Sequence, residues 1–243
     1  MPVQIVRGVE RRRDKEVSQS ASPDVQKVLK AEEANLSLFY ELEVRDKEGR
    51  IISSRRERSR SLLRNFALIV RTLLAGNIAG LITHTPFDVS VSITKRDGGT
   101  FSFPNLTYCV TETTPEEEAP SVMEAAAMER TDSYGVIVGG GTTPVTKHDY
   151  DLESQYKDGI GANQLLHGKV TVEDVNGTET DSVWRVIRTF SNESGATITV
   201  REIGLAVVCQ GNCVLIARDV LSTPEDIPDA ASLTVRYVFK VTA

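Results

Sequence analysis

Gly135-Val136-Ile137-Val138-Gly139-Gly140-Gly141-Thr142-Thr143-Pro144-Val145-Thr146-Lys147-His148-Asp149-Tyr150-Asp151-Leu152-Glu153-Ser154 divides this chain into two halves of different character. The short apolar run Val136–Val138 reads as a buried strand. The glycines read as its exit, because glycine takes positive φ without a Cβ penalty. A polar loop carrying Pro144 follows. A glycine-rich turn after a strand invites a phosphate-binding reading, which these residues do not fit. Gly139, Gly140 and Gly141 lack the GxGxxG spacing and have no Lys-Ser or Lys-Thr partner. Pro144 and two threonines stand where a phosphate site needs a helix N-terminus with free N–H groups.

Downstream the pattern is strand and turn. His167 to Val175 reads as a strand, Asn176-Gly177 as a type I′ turn and Val183 to Phe190 as the return strand. Asn192-Glu193-Ser194-Gly195 turns the chain. Ala196 to Arg201 and Gly204 to Cys209 read as strand pieces with a kink near Gly204, and Cys213 to Leu221 follows. Ser222 to Asp229, with Pro224 and Pro228, reads as a crossing loop. Leu233, Val235, Tyr237, Phe239 and Val241 alternate as a final strand facing one core.

Upstream, residues 1–34 are polar, with Arg11-Arg12-Arg13 and a Ser-rich stretch at Ser18–Ser22. Such a segment cannot build a core of its own. It is either a disordered tail or an arm that orders on a neighbouring subunit. Ser22 and Pro23 can start a short helix over Asp24–Ala34. Leu36, Leu38, Tyr40, Leu42 and Val44 alternate as a half-buried strand, Asp46–Gly49 turns, and Arg50–Ser54 begins the return. A helix is expected over about Ser61–Ala75, capped by Ser59 or Ser61 and ended by Gly76-Asn77. Leu62, Phe66, Ile69, Val70, Leu73 and Leu74 form its apolar face. Arg60, Arg64 and Arg71 gather on the other face and join Arg55, Arg56 and Arg58 in a basic patch. That patch is either a contact surface or a solvated face paired with local acids. Phe87, Val89, Val91 and Ile93 alternate, Asp97-Gly98-Gly99 makes a hairpin turn, and Phe101 and Phe103 return. Glu112–Pro120 reads as a linker and Ser121–Glu129 as a short helix, with Met123 and Met128 filling gaps.

Chain length allows a sizeable core in 243 residues. Net charge is −6, and an acidic balance argues against direct nucleic-acid contact. The first residues lack the apolar run of a signal peptide, and Phe66–Ile82 is too broken to span a membrane. The expectation is therefore a protein made in a cytoplasm, with no membrane partner. Cys109, Cys209 and Cys213 exclude a dense disulfide framework, leaving free thiols or one incidental bond. No metal or cofactor is expected, because zinc would need ligands beyond Cys209 and Cys213. Calcium at Asp149, Asp151 and Glu153 lacks the EF-hand pattern. His84, His148 and His167 fall in no catalytic spacing, and no Gly-x-Ser-x-Gly elbow is present. His148 beside Asp149 is the best candidate base, and a lone loop histidine is commonly a surface residue. With so little chemistry on offer, the chain reads as no enzyme.

The loop and its Asp149-Tyr150-Asp151-Leu152-Glu153-Ser154 continuation resemble structural proteins of tailed bacteriophages. Two further segments carry that resemblance, Thr189–Leu205 and Leu215–Leu221, together with Ser59–Phe66 upstream. It covers roughly Ser59 to Ala243, with Gly140 where threonine is expected. The resemblance implies a virion location, and copies of itself and other virion proteins as partners. The fold expected is mainly β: an antiparallel β-sandwich or jelly roll over 35–243, with one amphipathic helix and an extended N-terminal arm over 1–34. The function expected is a non-enzymatic part of the particle, in capsid decoration, tail or baseplate. The alternative is a carbohydrate-binding or adhesion module, for which Trp184, flanked by apolar strand residues, offers little exposed aromatic surface. Candidate partner contacts are Arg11, Arg12, Arg13, Arg60, Arg64 and Arg71.

Overall fold

The computed structural model describes residues 35–59, 61–75, 91–103 and 123–242. Its spine is three long antiparallel strands. β1 (Asn35–Arg45) pairs with β13 (Ser232–Thr242) without a slip, from Asn35 opposite Thr242 to Arg45 opposite Ser232. β13 pairs on its other side with β10 (Asp181–Ser191), from Asp181 opposite Thr242 to Ser191 opposite Ser232. The period of two read from the sequence sets this register: Leu38, Tyr40, Leu42 and Val44 are buried, as are Leu233, Val235, Tyr237 and Phe239. A one-residue slip would turn both sets to solvent.

β2 (Ile51–Ser59) forms the outer edge beyond β1. Short strands finish the sheet: β6 (Lys157–Asp158), β7 (Gln164–His167), β8 (Thr171–Val172) and β9 (Asn176–Gly177), giving the order β2-β1-β13-β10-β7-β6 with β8 and β9 also on β10. The second sheet is β12-β11-β5, built from β5 (Gly135–Gly139), β11 (Ile198–Cys209) and β12 (Asn212–Ile227). Both sheets feed one core, where Tyr40, Leu42 and Tyr237 meet Val136, Val138, Ile203, Leu205 and Ile216. This is the antiparallel sandwich expected. A hairpin of β3 (Val91–Thr94) and β4 (Thr100–Phe103) and one helix, α1 (Arg64–Ala75), pack beside it. Each large aliphatic side chain so buried contributes about 1.5–3 kcal/mol. Exposed ion pairs contribute about 0–1 kcal/mol, so the core and not the surface charge holds the sheets together.

Local expectations fail where polar groups or ladder pairing overrule propensity. The helix starts at Arg64 and not at Ser61, because the preceding residues are tied to β12: Leu62 bridges Ala217, and the Leu63 N–H donates to the Ile216 carbonyl at 2.9 Å. Ser59 and Ser61 do not cap it; both hydroxyls donate to Asp219, at 2.8 and 2.7 Å. In the expected Ser121–Glu129 helix, the described part is irregular, and Glu124 exchanges backbone hydrogen bonds with Val208. The expected His167–Val175 strand is interrupted between β7 and β8, where Gly168 and Val170 bond to Thr189 and Ala127. Asn176-Gly177 is not the turn but a paired piece facing Ser182 and Val183; the reversal falls at 178–180. β11 is one strand whose irregularities lie between Val200 and Glu202 and between Leu205 and Ala206. Ser222–Ile227 is strand and not a crossing loop. Pro224 sits in the stretch between Val220 and Glu225 that bulges out of the ladder, on an edge strand, where its missing N–H costs nothing.

The largest fully buried side chain is Arg188, on the inward face of β10. Its Nε donates to the Gly168 carbonyl at 2.8 Å, and Nη1 to those of Tyr134 and Val136 at 3.2 and 3.0 Å. Nη2 donates to the carbonyls of Thr131 and Met128. No ion-pairing carboxylate reaches it among the described residues, so burial pulls its pKa down to about 10. One side chain thus ties the irregular 128–136 segment to the sheet. Beside it His167 is also buried, edge-on to Phe190 with ring centroids 4.9 Å apart, and neither ring nitrogen makes a well-formed hydrogen bond. Burial first, and Arg188 second, push its pKa down to about 4 against the opposing pull of Asp158, Asp132 and the Tyr156 backbone.

Arg188→Met is expected to cost more than about 3 kcal/mol, since it strands several buried carbonyls at about 1–3 kcal/mol each; urea unfolding measures it. His167 protonates near pH 6.5 when unfolded but only near 4 when folded. The histidine's contribution should therefore fall as pH drops through that window, by roughly 3 kcal/mol in all, and level off below it, where the depressed carboxyls of Asp149 and Glu153 continue the loss. In His167→Gln the fall over the same window should be smaller by that amount in a pH series of thermal melts.

Candidate functional site

The glycine loop was expected to need positive φ. It does not: Gly135 at φ 85 takes that conformation, while Gly139, Gly140 and Gly141 do not. Those three are needed for close approach. A Cβ on Gly139 would stand 2.3 Å from the Ser154 carbonyl, one on Gly140 2.6 Å from the Tyr156 hydroxyl, and one on Gly141 2.5 Å from the Glu202 carboxylate. The returning chain lies directly on the outgoing one, with the Gly140 N–H donating to the Ser154 carbonyl at 2.8 Å and the Tyr156 N–H to that of Val138 at 2.9 Å.

Glu202, fully buried on β11, fills the loop. Its Oε1 accepts the N–H groups of Gly141 and Ser154 at 3.1 and 2.7 Å, and its Oε2 accepts the Glu153 N–H at 3.1 Å. Arg218, from the neighbouring β12, donates to Glu202 at 2.9 Å through Nε and to Asp149 at 2.7 Å through Nη1. Glu153 accepts the N–H groups of Thr142 and Thr143 at 2.6 and 2.7 Å, and these hold its carboxyl below the usual range. Burial pushes the Asp149 carboxyl up, but hydrogen bonds from Thr146 and Arg218 outweigh it and bring the pKa down. The amides of Gly141, Thr142 and Thr143, which an incoming phosphate would need, are already bound to the protein's own carboxylates, and that of Gly140 to the Ser154 carbonyl. The calcium candidates are spent in the same way: Asp149 on Arg218, Asp151 on Arg96 at 2.8 Å, and Glu153 on the loop amides. Among the described residues no group of three metal-ligating side chains converges. His148 is exposed on this loop, at a cleft of about 540 Å³ that includes Asp149 and Glu153.

A larger cleft of about 710 Å³ lies between β2 and β12, where Tyr40, Glu57, Arg58, Lys147, Asp219 and Ser222 converge. Its acids face inward partners. The Tyr40 hydroxyl donates to Glu57 at 2.7 Å, as does that of Ser222 at 3.0 Å. Asp219 receives Ser59 and Ser61, and Tyr237 at 3.3 Å. Burial, then Glu57, raises the Tyr40 pKa, and burial, then Asp219, raises that of Tyr237, so both phenols stay protonated as donors. What this arrangement does chemically is lock two edge strands side by side. Arg55 adds to the lock, pairing with Glu225 at 3.3 Å and donating to the Thr223 carbonyl.

Of the predicted contact arginines, only Arg64 has a described side chain. Arg11, Arg12, Arg13 and Arg60 lie outside the described residues, as does the side chain of Arg71. Arg64 is exposed at the start of α1. Of the wider basic patch, Arg55 and Arg56 are paired with acids, Arg56 with Glu41 at 3.6 Å while its guanidinium covers Phe39. Arg58 lines the large cleft. His84 and Cys109 also lie outside the described residues; Cys209 and Cys213 are free, and burial pushes the Cys209 thiol up to about 12. Trp184 is half-buried and stacked on Phe239, with centroids 5.0 Å apart. Sequence reading missed Glu202, Arg218 and Asp219. The only signal was charge inside otherwise apolar strand runs, at Val200–Leu205 and Leu215–Leu221.

Comparison of the chain with protein-family models, with curated proteins and with solved structures finds no match.

Glu202→Gln is expected to loosen the loop. The amide keeps a single acceptor oxygen for three backbone N–H groups and leaves Arg218 with reduced compensation. A loss of about 3 kcal/mol is expected in chemical unfolding, with faster proteolysis within 141–153 than elsewhere. Gly140→Val should do comparable harm by colliding with Tyr156.

Proposed function

We propose that this chain is a structural subunit of a tailed-phage particle, acting through subunit–subunit contacts and not through catalysis. The observation that carries the reading is the outer edge of the large sheet, along which no strand pairs among the described residues. β2 holds the outermost position over Ile51–Ser59, and its exposure alternates along the strand. Side chains tie β2 to β12, but its outer backbone groups lack a ladder partner among the described residues, and such an edge is a template for pairing with another chain. Exposed Arg56 and Arg58 guard it against indiscriminate pairing. The inward-turned acids of both clefts support the same reading, because the polar groups best placed for chemistry are engaged in holding loops and edges. The sequence resemblance to phage structural proteins supplies the particle. Residues 1–34, which precede β1, supply the arm through which copies engage one another and other virion proteins.

Deleting residues 1–34 should leave a folded sandwich with an unchanged thermal midpoint and abolish assembly of the full chain. Light scattering of both proteins decides it: equal particle size before and after the deletion would sink the proposal.

A further inference from the structure

The two outer strands leave a notch. β1 is paired with β13 from Asn35 onward, but its pairing with β2 stops where Leu38 faces Ser59. Beyond Ser59 the chain leaves the sheet and crosses to β12 at Leu62. The edge of β1 over Asn35–Ser37 therefore has a strand on one side and none on the other among the described residues. A cleft of about 460 Å³ occupies the vacant place, between Leu36 and Ser37 on one wall and Ser59, Ser61, Leu62 and Lys147 on the others. Leu36 is 44% exposed, so an apolar side chain stands open beside an unpaired backbone edge. That combination suits an added strand: main-chain bonds to β1, and one apolar residue seated on Leu36 and Leu62.

We infer that this notch receives the segment Val3-Gln4-Ile5-Val6 of a second copy, added as a short strand beside Asn35–Ser37. The inference rests on the assembly reading above and names its contact. Within residues 1–34 this segment is the densest run of β-branched residues, and Val3 and Ile5 fall on one face at a period of two. The arm starts at the notch itself, because Asn35 follows it directly. Residues 7–34 carry no two-residue hairpin signal such as Asn-Gly or Asp-Gly that would fold the arm tightly back onto its own notch. Asp24–Ala34, which carries a helix signature, leads roughly 16 Å away from Asn35 if it is helical. The full arm is long enough to reach a neighbour, since 34 extended residues span roughly 110 Å.

The test uses the full chain with the photo-crosslinker benzoylphenylalanine in place of Lys147, and in a second variant in place of Ser37. Natural-isotope and 15N-labelled chains are co-assembled, irradiated and digested with trypsin. The expected result is a cross-link from the notch to the Met1–Arg7 peptide, with mixed-isotope pairs as abundant as same-isotope pairs. Cross-links in same-isotope pairs alone would place the chain's own arm there and overturn the inference. An intact oligomer without any cross-link to Met1–Arg7 at either position would overturn it while leaving the assembly reading standing. A monomer with no such cross-link would overturn both.

Discussion

A buried cation with no ion pair among the described residues is the constraint around which this sandwich is arranged. Removing the Arg188 guanidinium from water is costly, and the cost is met here by carbonyl dipoles alone. Those carbonyls belong to a stretch that makes little regular structure, the residues that lead into β5 and the turn after β7. An irregular segment carries many unpaired acceptors, and a planar fork with donors in several directions can collect them. The arginine thus does for the loop what a sheet ladder does for a strand. The edge-on contact of His167 with Phe190 fills the space beside it, which leaves that pocket intolerant of a second positive charge.

The second sheet obeys a related rule with the signs reversed. Glu202 collects amide hydrogens from the glycine loop, and Arg218 compensates its charge from the adjacent strand. Breaking such a pair from one side strands the other member in a dry interior, a larger penalty than the pair's own net contribution. At the open side of the sandwich, Asp219 and Glu57 collect hydroxyls and fasten β2 to β12. Three carboxylates and two arginines therefore do the positioning that regular hydrogen-bond ladders leave undone.

Alternation made the long strands legible. β1 and β13 could be drawn from their buried residues, because a period of two with one wet face permits only one register. The hairpin at Asp97–Gly99 was legible for a similarly local reason. Failures came where one residue type has two uses. The three glycines read as a φ requirement and turned out to answer a steric one, which depends on the partner strand and on Glu202, far away in sequence. Asn176-Gly177 carried a turn signal but lies in the ladder. Pro224 signalled a loop, yet an edge strand can bulge around it. Ser59 and Ser61 looked like helix caps until Asp219, 158 residues beyond Ser61, claimed both hydroxyls. Glu202, Arg218 and Asp219 were written in the sequence only as charges interrupting apolar runs, a signal that marks a buried network without saying what it grips.

The glycine loop has a further property that follows from its internal carboxylates. The amides of Gly140, Gly141, Thr142, Thr143 and Thr146 are satisfied within the chain, so the conformation of this part is settled during folding and does not wait for a ligand. Whatever meets the outer surface at Thr142–Thr146 meets backbone whose conformation is already held, and contact there carries little entropic penalty. A loop of this kind behaves as a rigid boss on the protein's own surface, its shape set from within by Glu202 and Glu153.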